Sequence, residues 1–97
     1  MNHSVSTDLI IKAKQLGFKI DEVVNQTTGM YQVVFTKDGQ SLPLFSLFLM
    51  SGGLFHWDQN VTLPPHIVHK LSTRFTDDIE VVEMLESLAT DLEAYEA

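Results

Sequence analysis

Cysteine is absent from the 97-residue chain. That excludes a disulfide framework, thiol chemistry and cysteine-ligated zinc or iron–sulfur centres, and it fits a cytoplasmic location. Basic side chains are few: Lys12, Lys14, Lys19, Lys37, Lys70 and Arg74, scattered along the sequence. A nucleic-acid surface needs a concentrated basic footprint, so no DNA or RNA partner is expected. No long apolar run occurs either. The longest stretch free of Asp, Glu, Lys and Arg runs from Gly39 to Trp57 and is broken by Gln40, Ser41, Pro43, Ser46, Ser51, Gly52, Gly53 and His56. A membrane span takes about 20 predominantly apolar residues, so none is expected. Residues Met1 to Asp8 lack a basic stretch followed by an apolar run, and no secretory leader is read there. Nucleophile-elbow, phosphate-loop and dinucleotide fingerprints are all missing.

What is present describes one small domain. Hydrophobic residues make up 44% and charged residues 20% of the chain, ordinary for a globular protein. A chain of this length buries roughly 60–65% of its unfolded surface, enough for one core with little room for a deep catalytic cleft. Net charge is −7 and is unevenly placed. Residues 76–97 hold Asp77, Asp78, Glu80, Glu83, Glu86, Asp91, Glu93 and Glu96 with no basic residue. The acidity therefore belongs to the last element.

The pattern predicts an α+β fold: an N-terminal helix, an antiparallel meander of three to four strands and two C-terminal helices. Ser6 or Thr7 caps the first helix, Leu9, Ile10, Ala13 and Leu16 recur at helical spacing, and Gly17 ends it. A possible strand covers Phe18 to Asn25, and Gln26-Thr27-Thr28-Gly29 reads as a turn. Met30–Lys37 and Gln40–Met50 flank Asp38-Gly39, a two-residue hairpin signal. That register sets Phe35 opposite Leu42 and Val33 opposite Leu44. Gly52-Gly53 predicts a second tight turn, with Met50 opposite Phe55 and Phe48 opposite Trp57. One sheet face then carries Tyr31, Val33, Phe35, Leu42, Leu44, Phe48, Met50, Phe55 and Trp57 as core. The other carries Val34, Phe45, Leu47 and Leu49 as an apolar cluster that something must cover.

Beyond the meander, Thr62 is the expected cap of a helix entered through Pro64 and Pro65, with Ile67, Val68, Leu71 and Phe75 as its stripe. Thr76 or Asp77 caps a longer helix to about Ala94, striped by Val81, Val82, Leu85, Leu88, Ala89, Leu92 and Tyr95. The helix–meander–helix order resembles double-stranded-RNA-binding domains in architecture. Where those domains present a basic helix start, this chain has Thr76-Asp77-Asp78, the opposite sign, and their function does not carry over.

His66 and His69 share a helix face, and His56 and Asp58 a strand face, but no full ligand set for a metal emerges. No cofactor and no catalytic constellation is expected. The candidate partner-binding residues are Asp77, Glu80, Glu83 and Glu86 on the acidic helix and Phe45, Leu47 and Leu49 on the second sheet face. The resulting expectation is a non-enzymatic interaction or regulatory protein, a homodimer in the first instance and otherwise bound to another protein. The alternatives are an acidic inhibitor or nucleic-acid mimic acting on a basic site, and a small metal- or ligand-binding enzyme using His56, His66 and His69.

Overall fold

A computed structural model describes residues 5–24, 26–27 and 29–96. The chain is α+β, in the order α1 (Thr7–Gln15), β1 (Phe18–Val24), β2 (Tyr31–Lys37), β3 (Phe45–Leu49), β4 (Phe55–Asn60), α2 (Pro65–Val68), β5 (Arg74–Phe75) and α3 (Asp78–Glu96). Among the described residues five strands lie side by side in chain order, each antiparallel to the next. Asn25, the last residue of the expected first strand, and Thr28, inside the expected turn, lie outside the described residues.

Local signals act as expected in α1. The Ser6 hydroxyl accepts the Leu9 N–H at 3.2 Å, satisfying one of the donors a helix start leaves open. Leu9 and Ala13 turn into the core. There they join Val81, Leu85, Leu88 and Leu92 of α3 and Phe18, Val33, Phe35, Phe45, Leu47 and Phe55 of the sheet in one cluster. Both long helices thus cover the same sheet face, and α1 packs against β1 and α3. Within this core the rings of Phe35 and Phe45 stack at 4.7 Å, and those of Phe45 and Trp57 at 5.3 Å, tying β2, β3 and β4 together.

The strand register corrects the expectation. Phe35 pairs with Phe45 and Val33 with Leu47, three residues further along than the Asp38-Gly39 hairpin implies. The turn is closed by the Gln40 N–H donating to the Lys37 carbonyl at 3.0 Å. Gly39 has φ +85°, but no non-glycine residue has positive φ among the described residues. A two-residue type I′ turn needs positive φ at both central positions, and Asp38 does not supply it. The chain instead runs through a longer loop, in which Pro43 has no N–H to offer a ladder, and re-enters the sheet where the Leu44 N–H meets the Phe35 carbonyl at 2.7 Å.

A slip by an odd number of residues exchanges the two faces of a strand. Phe45, Leu47 and Leu49 are therefore buried under the helices. Leu42 and Met50, read as core, are 61% and 40% exposed. The second turn differs by one residue. Ser51, Gly52 and Gly53 make a three-residue connection that pairs Leu49 with Phe55 and Leu47 with Trp57.

Further on, α2 is a single turn with no side-chain cap. Thr62, expected to cap it, instead donates its hydroxyl to the Pro43 carbonyl at 2.7 Å. Phe75 belongs to the fifth strand, opposite Phe55, not to a helical stripe.

The open sheet face is mostly polar. Lys19, Asp21, Val23, His56 and Arg74 are exposed there, with Gln32, Val34, Thr36, Phe48 and Asp58 half-buried. A bulge between Ser46 and Leu47 on the pairing with β4 aims Asp58 at Ser46, as bulges re-aim side chains. The Asp58 carboxylate accepts the Ser46 hydroxyl at 2.8 Å and the Gln32 amide at 2.5 Å. This satisfies Ser46, which is buried.

Candidate partner-binding groove

Two helices on one sheet face leave a trough between them wherever their side chains do not meet. Here the first halves of α1 and α3 form its walls. Leu9 and Ala13 fix which side of α1 faces the sheet, which leaves Asp8, Ile11 and Lys12 on other sides. On α3, Val81, Met84, Leu85 and Leu88 are buried, leaving Asp78, Ile79, Val82, Glu83 and Glu86 along the neighbouring stripe. These residues, with Ser6 and Leu9, line a groove of about 700 Å³. Ile79 is 68% and Ile11 48% exposed. The groove lining thus combines the apolar Leu9, Ile11, Ile79 and Val82 with four carboxylates against one ammonium, that of Lys12.

The acidic candidates divide by role. The Glu80 N–H donates to the Asp77 carboxylate at 3.0 Å, and the Glu80 carboxylate accepts the Thr76 N–H at 2.8 Å. Asp77 and Glu80 therefore cap α3 reciprocally, a variant of the capping box. Glu83 and Glu86 are exposed on the groove rim. Glu80 and Glu83 also border a second depression, of about 510 Å³, shared with Lys70, Arg74 and Ser87. Phe45, Leu47 and Leu49 lie in the core, so the surface read for them does not exist on this subunit.

The groove residues not foreseen are Asp8, Ile11, Asp78, Ile79 and Val82 as a set. Ile11 and Ile79 carried one usable signal, since each is a branched apolar residue left off the buried stripe of its own helix.

His56, His66 and His69 are not among the residues that line this groove. His66 and His69 are exposed, and the His66 ring lies 5.3 Å from that of Tyr95. His56 sets Nδ1 3.1 Å from the Trp57 carbonyl. Among the described residues no three His, Asp or Glu side chains gather as metal ligands do. Ser46 is held by a carboxylate, not by an imidazole base. No described helix is long and apolar enough to cross a membrane. Comparison with known protein families, curated proteins and solved structures finds no match for this chain.

Proposed function

We propose that this protein is a non-enzymatic interaction module that docks a basic, partly apolar segment of another protein in the groove between α1 and α3. The observation that carries the reading is the pairing of exposed Ile11 and Ile79 with Asp8, Asp78, Glu83 and Glu86 around one trough. Apolar surface supplies affinity when it leaves water. A rim of one sign selects partners of the other sign and speeds their encounter. An acidic inhibitor seated on a basic site of its target is one form of this function. Self-association through the groove is disfavoured, because it would set one acidic rim against another.

Fluorescein-labelled peptides of leucine and lysine test the reading by anisotropy against the wild type and Glu83→Lys/Glu86→Lys. Both positions are exposed and lysine is a good helix former, so far-ultraviolet circular dichroism should show an intact fold. The expected result is saturable binding that weakens with salt and drops at least about tenfold on charge reversal. Absence of saturable binding, or indifference to the reversal, contradicts it.

A second reading is a homodimer through the open sheet face, favoured by half-buried Val34 and Phe48 beside exposed Val23. Sedimentation equilibrium decides it: a mass that doubles with concentration in the wild type and stays single in Phe48→Lys supports this face, and a constant single mass removes it.

A further inference from the structure

The geometry points to an amphipathic α-helix with basic flanks as the segment that enters the α1–α3 groove. This rests on the docking reading above and narrows it to one backbone form. The walls of the groove are helices, whose N–H and C=O groups are bonded within each helix along their length. At the helix starts, where backbone donors are left open, side chains take the Leu9 N–H (Ser6) and the Glu80 N–H (Asp77). An extended segment laid there would press its own N–H and C=O groups onto apolar side chains with no strand edge to pair them, and unpaired buried backbone groups are strongly disfavoured. A helix brings its backbone already bonded and presents only side chains.

The dimensions agree. The α3 wall runs from Asp78 to Glu86, about 12 Å at 1.5 Å per residue. A helical ligand anchors through apolar residues at i, i+3 or i+4, and i+7, a span of about 10 Å on the same rise. Those anchors would rest on Ile11, Ile79 and Val82. Asp8 stands on the α1 side and Glu83 and Glu86 on the α3 side. Lysine or arginine on both flanks of the incoming helix therefore finds a carboxylate on each wall. Extended ligands have a different place to go, the outer edge of β1, which ends the sheet and offers backbone groups for strand addition.

Two labelled peptides of about 16 residues and identical leucine–lysine composition separate these cases. That length is marginal as a free helix in water, so ordering on binding is visible. One peptide places leucine at helical spacing and the other alternates leucine with lysine. Each is titrated by anisotropy against the wild type, Ile79→Ser and Glu83→Lys/Glu86→Lys. The expected result is that the helical-period peptide binds at least about tenfold more tightly, gains helical circular dichroism when bound, and loses affinity in both variants. Equal affinity, or preference for the alternating peptide, overturns the helical inference and leaves the docking reading standing. Failure of both peptides to bind overturns the two together. Helical-peptide binding untouched by either variant places the site outside this groove and overturns the inference.

Discussion

Phe45 stacks between Phe35 and Trp57 with none of its surface in water. Truncating a fully buried phenylalanine removes its transfer free energy and leaves a cavity, so Phe45→Ala should lower stability by about 3–5 kcal/mol in urea unfolding. Leu42→Ala, at a mostly exposed loop position, should stay within about 0.5 kcal/mol. The register implied by Asp38-Gly39 alone demands the reverse order, so the two variants measured together decide between the registers. Asp77 and Glu86 form a similar contrast. Both are acidic residues of one segment, yet Asp77 holds the Glu80 N–H while Glu86 stands on an open rim. Asp77→Ala should cost about 1 kcal/mol as a lost helix cap, and Glu86→Ala no more than about 0.5 kcal/mol. Equal losses would mean that the cap is not formed. Charge alone could not sort these residues, because the count of carboxylates says nothing about which of them a backbone N–H occupies.

Among the elements, those set by near neighbours were legible. Ser6, Leu9 and Ala13 mark α1 within a few residues, and the stripe through Val81, Leu85 and Leu88 marks α3 in the same way. Strand positions were also readable, but pairing was not. Pairing hung on whether Asp38 accepts a positive φ, on a proline that cannot donate, and on three residues of turn at Ser51–Gly53 instead of two. The fifth strand has only Arg74 and Phe75, too short for any period, and exists because Phe75 meets Phe55 from far along the chain. The turn before β4 gives a direct test. Gly52 and Gly53 both have φ +82°, and a methyl group added at either meets open space. Alanine there is penalised by backbone strain alone, about 1–2 kcal/mol at each position. Urea unfolding of Gly52→Ala and Gly53→Ala should show those losses with the fold retained. Unchanged stability would contradict the left-handed turn.

At the scale of the whole molecule, the fold is one sheet with both long helices on one side, which leaves one polar sheet face and one inter-helix trough. That arrangement explains why the acidic residues read from the sequence divide so unequally: Asp77 and Glu80 secure the helix, while Glu83 and Glu86 border a surface. The groove itself was illegible in the sequence because its walls come from opposite ends of the chain, and only the packing of α1 against α3 brings Ile11 near Ile79. We propose that partners enter this trough. Their entry is tested most directly by two-dimensional 15N–1H spectra of the labelled protein during titration with the helical-period leucine–lysine peptide. Amide shift changes concentrated in residues 8–12 and 78–86, fading with added salt, are expected. Changes concentrated on the edge of β1 or around Val34 and Phe48, or none anywhere, would contradict the proposal.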